Sequence, residues 1–127
     1  MKVNELRVGN WFYRYCCNDQ VMEVRAGGVI GLDRNQDIIS LYEMKPIPLT
    51  EEFFEKNGFV KERFYFRFFY FKKIKGMILK AYKHHNGWEI HMKHERSINA
   101  FSKAIDYVHE LQNAYYVSTG EEMEITL

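Results

Sequence analysis

A dense run of aromatic and basic residues in the middle of the chain constrains its fold more than any other feature. Residues 59–75 read FVKERFYFRFFYFKKIK. Aromatic side chains pack well on a pleated surface, so the run predicts a strand from Phe59 to Phe71, with a turn near Glu62 as the alternative. Because side chains alternate along a strand, both faces of this strand would be aromatic. This pattern indicates that the protein buries both faces of the strand, or that a partner covers one of them. The two predicted faces are Phe64, Phe66, Phe68 and Tyr70, and Tyr65, Arg67, Phe69 and Phe71.

Further strand signals follow this run and predict an antiparallel β-meander. Lys75-Gly76 is a turn dipeptide, and Asn86-Gly87 is a hairpin signal because these residues tolerate the backbone of tight turns. They delimit strands at Met77–Tyr82 and Trp88–Met92. In the second of these strands apolar and polar residues alternate, which predicts one buried and one wet face.

The first 45 residues predict a small, strongly bent antiparallel β-sheet, with an SH3-like barrel as one topology. Strand signals lie at Trp11–Cys17, Val21–Arg25 and Ile38–Tyr42. Gly27-Gly28 marks a hairpin, since glycine adopts positive φ without steric cost. Asp33–Asp37 is a polar turn.

Two helices are predicted. Pro46 and Pro48 interrupt the chain. Thr50 then caps a short helix that ends at Asn57-Gly58 and has acidic residues in its first turn. The spacing of apolar residues predicts a second helix from Asp106 to Ser118.

Together these elements predict an α+β protein of one domain, residues 1–127. Residues 1–45 would form the small sheet, and residues 46–127 the short helix, the meander and a C-terminal helix packed on it. Residues 121–127 alternate in polarity and predict a last edge strand.

Cysteine usage and hydropathy predict a cytoplasmic protein. The only cysteines are the adjacent Cys16 and Cys17, which would point to opposite faces of a strand and stay free thiols, as in a reducing compartment. The N-terminus lacks the apolar stretch of a signal peptide. No apolar run reaches the ~18 residues of a membrane span, so no membrane partner is expected.

No residue pattern indicates an enzyme, a metal site or a cofactor. A metal needs converging ligands, whereas His91 and His94 would fall on opposite faces of a strand. Gly27-Gly28 lacks the helix and lysine of a phosphate site. We therefore expect no catalytic residue, no metal and no cofactor.

Charge is unevenly distributed, and the aromatic run lies in the most basic part. Residues 1–60 carry net −2, residues 61–96 net +7 and residues 97–127 net −4, which sum to +1. Positive grooves with exposed rings bind single-stranded nucleic acids, but aromatic residues in strands are also core or interface residues. These readings stay open. The candidate polyanion-binding residues are Arg63, Arg67, Lys72, Lys73, Lys75, Lys80, Lys83, Tyr65 and Tyr70.

Three separated stretches share the order and spacing of a known pattern. They are NELRVGNW at 4–11, PIPLTEEF at 46–53, and YVHELQN at 107–113 with TGEE at 119–122. This pattern resembles a family of small uncharacterised proteins from Bacteroides-type bacteria and their prophages and mobile elements. The resemblance implies a bacterial cytosolic or phage-associated origin and no particular activity. The basic central run departs from the family pattern, which is more acidic or neutral there.

The YVHELQN stretch also carries a second candidate site. His109, Gln112 and Asn113 lie on one face of the predicted helix. They predict either a small polar binding site or buried hydrogen bonds that fix the helix against a sheet.

The expected function is that of a non-enzymatic accessory or adaptor module that binds a protein partner or a second copy of itself. The alternative is a nucleic-acid-binding module that uses the basic residues of 61–83, and the third is an enzyme with an unrecognised site. An exposed apolar patch would favour the first. Arg67, Lys72, Lys73 and Lys80 on one face, with a tyrosine between them, would favour the second.

Overall fold

The structure, a computed structural model, describes residues 7, 9–14, 20–25, 28–31, 36–37 and 44–127. It confirms the α+β class: two helices accompany antiparallel sheets. The chain divides into two compact units, the first of Met1–Pro48 with Tyr107–Asn113 and the second of Leu49–Asp106 with Ala114–Leu127. A single domain over 1–127 stays a prediction.

The first unit contains a five-stranded antiparallel sheet with the strand order β4-β3-β2-β1-β5. The hairpin predicted at Gly27-Gly28 is confirmed, because Arg25 pairs with Gly28. The prediction that a polar turn extends to Asp37 is wrong for its last two residues, because Gln36–Asp37 forms a strand. The strands are β1 (Trp11–Arg14), β2 (Gln20–Arg25), β3 (Gly28–Gly31), β4 (Gln36–Asp37) and β5 (Met44–Lys45).

Other predictions for this region lie outside the described residues. These are the free thiols of Cys16 and Cys17 and the strand at Ile38–Tyr42. In the described part of the first sheet, β4 and β5 are the edges.

The short helix α1, Glu51–Lys56, confirms the prediction from its capping residues. The Thr50 hydroxyl accepts a hydrogen bond from the Phe53 N–H at 3.1 Å. This bond satisfies one of the amides that a helix start leaves without a partner. Gly58 ends the segment with a φ of 80°, a conformation that glycine adopts without strain.

The second unit contains the predicted meander, enlarged to five antiparallel strands in the order β10-β9-β8-β7-β6. One of them, β10, carries no strong sequence signal and was not predicted. The strands are β6 (Val60–Phe64), β7 (Arg67–Ile74), β8 (Met77–His84), β9 (Gly87–His94) and β10 (Ala100–Ile105).

The prediction of one strand from Phe59 to Phe71 is wrong, and so is a turn near Glu62. The chain reverses at Tyr65-Phe66, so the run forms the hairpin β6–β7, in which Phe64 pairs with Arg67. This reversal pairs the two halves of the aromatic run with each other, so that their backbone N–H and C=O groups form hydrogen bonds. It also moves Phe64 away from the face of Phe68 and Tyr70, on which alternation alone had placed it.

The C-terminal helix α2 spans Val108–Thr119 and so begins two residues after the predicted start at Asp106. Its residues belong to both units. The edge strand predicted for 121–127 is wrong. Instead Thr126 bonds to one side chain: its N–H donates to Asn57 Oδ1 at 2.6 Å, and its C=O accepts from Asn57 Nδ2 at 2.8 Å.

An aromatic core lies between α1 and one face of the second sheet. The Phe54 ring lies 5.5 Å from that of Tyr70 and 4.7 Å from that of Trp88. In β8 and β9 buried residues alternate with half-buried ones, as predicted for Trp88–Met92. No helix within the described residues is long and apolar enough to cross a membrane.

Candidate functional site

The second sheet has one face turned away from α1, which we call the open face. Its cross-strand rows follow from the register: Phe69, Tyr82 and Glu89 form one row. The next row contains Lys80 and His91. These positions alternate with the core residues of the same strands. Most of their side chains are half-buried, so the open face is only partly covered.

The turn between β6 and β7 carries an exposed group of rings, which we call the aromatic tip: Phe64, Tyr65 and Phe66. Phe64 is 65% and Tyr65 86% exposed, and Phe66 is fully exposed. The rings of Phe64 and Tyr65 meet edge to face at 4.6 Å. Single exposed apolar residues are ordinary on proteins, but contiguous ones mark interaction surfaces.

The backbone of the aromatic tip is strained at Tyr65. Its φ is 55°, in the left-handed region where a bulky residue is disfavoured by roughly 1–2 kcal/mol. Glycine usually holds this position in a two-residue hairpin turn. The structure therefore places a large aromatic ring where stability alone would favour glycine, and such strain concentrates at functional sites.

The aromatic tip borders a groove on the open face, which we call the tip groove. Its volume is about 600 Å³. Inside it the rings of Phe69 and Tyr82 lie 5.2 Å apart. The Lys80 ammonium lies 5.4 Å from the centre of the Phe69 ring. The groove is lined by Phe64, Tyr65, Phe66, Arg67, Phe69, Lys80 and Tyr82.

The tip groove contains two cations, the side chains of Arg67 and Lys80. Within the described part of the chain, neither Arg67 nor Lys80 forms an ion pair. Two acidic residues share this face, Glu62 opposite Phe69 and Glu89 opposite Tyr82, but neither lines the groove. The residues that line the groove thus offer aromatic surface and two cations.

The structure disperses the predicted polyanion-binding residues instead of gathering them. Tyr70 is buried in the core, and its hydroxyl donates to the carboxylates of Glu51 and Glu55 at 3.2 and 3.0 Å. Burial, then these carboxylates, raise the pKa of Tyr70 above its usual value. Lys72 faces α1, where its amine donates to the Asn57 carbonyl at 2.5 Å.

Other basic residues of that set face the core side or are paired. Lys83 lies over the Trp88 ring at 5.0 Å. The ammonium of Lys73 lies 2.5 Å from a carboxylate oxygen of Glu95, and Lys75 lies 3.1 Å from Glu121. Arg63, exposed on β6, shares the α1 side with Lys61. From the predicted set, only Tyr65, Arg67 and Lys80 line the tip groove.

Two of the helix signature residues, Gln112 and Asn113, form hydrogen bonds with residues of the N-terminal segment in the first unit. We call this group the helix cluster: Arg7, Asn10, Gln112 and Asn113. Gln112 is buried, accepts from the Trp11 N–H at 3.0 Å and donates to the Gly9 carbonyl at 3.0 Å.

Asn113 connects helix α2 to two further members of the helix cluster. The Asn113 Oδ1 accepts from Arg7 Nε at 3.0 Å and from Asn10 Nδ2 at 2.8 Å. His109 is buried, and its ring stacks on Tyr107 at 5.9 Å. Of the two readings of this signature, these contacts favour the structural one.

A carboxylate on the open face collects three polar partners. Glu89 accepts a hydrogen bond from the Ser102 hydroxyl at 2.8 Å. Its oxygens lie 2.7 Å from His84 Nε2 and 2.9 Å from His91 Nε2. The Ser102 bond, then the histidine His84, lower the pKa of Glu89. The described residues contain no group of three or more His, Cys, Asp or Glu side chains that could hold a metal ion.

Sequence reasoning did not single out Phe64, Phe66, Phe69 or Tyr82 as one surface. The turn at Tyr65-Phe66 contains no glycine, proline or asparagine, so no local signal marked it. The density of aromatic residues was the available clue. In comparisons with known proteins, no family model, no curated protein and no solved structure matches the chain.

Proposed function

We propose that this protein is a non-enzymatic docking module that binds an extended protein segment in the tip groove. The segment carries an apolar or aromatic side chain next to Asp or Glu. The observation that carries this proposal is the exposed aromatic tip on a strained turn beside Arg67 and Lys80, neither of which forms an ion pair with a described residue.

The aromatic tip has the composition of a protein-binding hot spot. Aromatic residues and arginine supply most of the binding energy at interfaces, in clusters that lose water on binding. Phe64, Tyr65 and Phe66 expose their rings beside Arg67. The turn and its paired strands fix the backbone of these residues, so less backbone freedom is lost when a partner binds.

The electrostatics of the tip groove favour an acidic partner segment over a polynucleotide. Nucleic-acid binders commonly contact several phosphates at once. The groove offers Arg67 and Lys80, whereas Lys72, Lys73 and Lys75 are turned away or paired. Two cations suit one or two carboxylates flanking an apolar anchor.

Single-stranded nucleic acid is the second candidate, because the same groove combines exposed rings with cations. Bases stack on such rings without sequence preference. This candidate requires tight binding of oligonucleotides that weakens steeply with salt. It enters the experiment below as a separate outcome.

Several further features belong to this proposal. They are a cytoplasmic location, membership of the Bacteroides-type family, and closure of the first sheet into an SH3-like barrel. The family resemblance and the free cysteines predicted from the sequence support the first two. The five short antiparallel strands of the first sheet support the third.

The test is selection of peptides from a random library on the purified protein, followed by binding measurements on the enriched peptides. We expect peptides with an aromatic or aliphatic anchor beside Asp or Glu. Phe66→Ser should weaken their binding about tenfold or more, since hot-spot truncations cost at least ~1–2 kcal/mol. Ile98→Ser is the matched control, because Ile98 is also exposed but lies outside the groove.

Two results would overturn the docking proposal. One is the absence of any enriched peptide that depends on Phe66. The other is tight binding of a labelled oligo(dT) or oligo(U) that Phe66→Ser abolishes, with no peptide binding, which would assign the groove to single-stranded nucleic acid.

A further inference from the structure

Strand β10 is a free edge of the second sheet. Within the described ranges no other strand pairs with its outer side. Four of its six residues, Ala100, Ser102, Lys103 and Ala104, are exposed. An exposed edge strand presents unpaired N–H and C=O groups that can pair with another chain.

The ladder geometry shows which residues of β10 direct these groups outward. His84 and Gly87 flank the two-residue turn between β8 and β9 and pair directly, so they exchange hydrogen bonds, and bonded pairs alternate from there. Following this alternation across β9 leaves the N–H and C=O of Ala100, Ser102 and Ala104 directed outward.

We propose that β10 pairs antiparallel with β10 of a second copy of this chain, in a register centred on Ser102. Ser102 then faces Ser102 of the second copy, and Ala100 faces Ala104 on both sides of the centre. Every outward residue becomes part of a bonded pair, with about six hydrogen bonds at two per pair. The two sheets form one continuous sheet.

The side chains of β10 permit this pairing. Ala100, Ser102 and Ala104 are small, so their own side chains do not hinder approach on the open face. On the other face Phe101 of each copy lies opposite Lys103 of the other, a favourable cation–aromatic arrangement. The free edge ends after Ile105, because the Asp106 carbonyl already accepts the Leu49 N–H at 2.9 Å.

The opposite edge of the sheet rejects a second copy. The same alternation, counted from the pair Phe64 and Arg67, directs the backbone groups of Lys61 and Arg63 outward from β6. A symmetric pairing there would set Lys61 opposite Arg63 and Glu62 opposite Glu62. Like charges directly opposite destabilise a strand pair, and charged edge residues commonly prevent such association.

The experiment measures self-association by sedimentation equilibrium over a concentration series, with amide hydrogen exchange as a second readout. We expect a reversible dimer. At high concentration the amides of Ala100, Ser102 and Ala104 should gain protection. Replacing Ala100 and Ala104 together by Lys should weaken the dimer about tenfold or more, because lysines then face each other in both outer pairs. Replacing both by Glu should do the same.

An equimolar mixture of the lysine and glutamate variants should dimerise again, since each lysine then faces a glutamate. Thermal unfolding of each variant at low concentration verifies the fold. Arg63→Ser on the other edge is the control and should leave the dimer unchanged. A protein that stays monomeric up to ~1 mM, a mixture that does not associate, or a dimer lost in Phe66→Ser but not in the lysine variant would each overturn the proposal.

Discussion

The helix cluster and the aromatic tip both contain residues that stand out in the sequence, but the first forms internal hydrogen bonds and the second is exposed. The helix cluster holds amides and a guanidinium in positions where hydrogen bonds connect Gln112 and Asn113 to the segment from Arg7 to Trp11. The aromatic tip exposes three adjacent rings on a strained turn. A buried polar residue with all its bonds made contributes to stability, whereas exposed apolar surface on a strained backbone contributes only when something binds it.

This difference shows that polarity alone does not identify a binding site. The polar signature HELQN was a candidate site, and the structure uses its amides internally. The aromatic run could have been core, and Tyr70 and Phe68 do face the core side. Its turn nevertheless remains exposed. The predictions below test this assignment of roles.

The largest expected effect comes from breaking the helix cluster. Gln112→Ala should lower the free energy of unfolding by about 2–4 kcal/mol, because the Trp11 N–H and the Gly9 carbonyl lose their partner and each unsatisfied group costs ~1–3 kcal/mol. Urea unfolding measures this, with Val117→Ser on the exposed side of the same helix as control. If Gln112→Ala lowers the free energy of unfolding no more than Val117→Ser does, and also weakens peptide binding, the helix cluster would be the binding site and not a stabilising one.

Tyr65→Gly should separate stability from binding at the aromatic tip. Glycine adopts the observed φ of 55° without strain, so the free energy of unfolding should rise by about 1 kcal/mol. The affinity for selected peptides should fall several-fold because the ring is lost. Chemical unfolding and peptide titration measure the two effects. Loss of stability in this variant would show that the Tyr65 ring is structural.

Arg67→Ala should have a smaller effect, confined to acidic peptides. Its cation is partly exposed to water, so an ion pair with a partner carboxylate is worth roughly 0.2–1 kcal/mol, or up to about fivefold in affinity. The difference from the unmodified protein should disappear at high salt. Arg63→Ala removes a nearby exposed arginine outside the groove and should leave the affinity unchanged.

The smallest effect near neutral pH concerns Tyr70, the member of the aromatic run that became core. Because burial and the carboxylates of Glu51 and Glu55 raise its pKa, its contribution to stability is complete below the unfolded value near 10. It falls as pH rises above that value, since the unfolded state then loses protons more readily. Unfolding curves from pH 8 to 11 should show this decline, and Tyr70→Phe should reduce it. If stability declines equally with pH in the unmodified protein and in Tyr70→Phe, ionisation of Tyr70 does not cause the decline.

Most local elements could be predicted from the sequence. The cap of α1 by Thr50, the hairpin at Gly27-Gly28 and the alternation in Trp88–Met92 all rest on residue preferences that act over a few positions. Strand β10 was missed because Ala100, Ser102, Lys103 and Ala104 have weak β preference, and its place depends on pairing with β9. The tail at 121–127 alternates like a strand, but the Asn57 amide takes up the backbone groups of Thr126.

The candidate site could be predicted only in part. Tyr65, Arg67 and Lys80 were named from charge and aromatic density, and they do line one groove. Lys72 and Lys83 were named on the same grounds and face the other side, because a one-residue step along a strand reverses the side chain.

The sequence by itself determined the class of the protein, its helices and most turns, because caps, glycines and prolines act through local backbone energetics. Only the tertiary structure decided which aromatic residues became core and which remained exposed. That choice follows from a reversal at Tyr65-Phe66, which no local preference favours. Pairing of Val60–Phe64 with Arg67–Phe71 imposes it. Because strand faces depend on register, one turn changed the face of Phe64 and with it the surface that the protein offers to a partner.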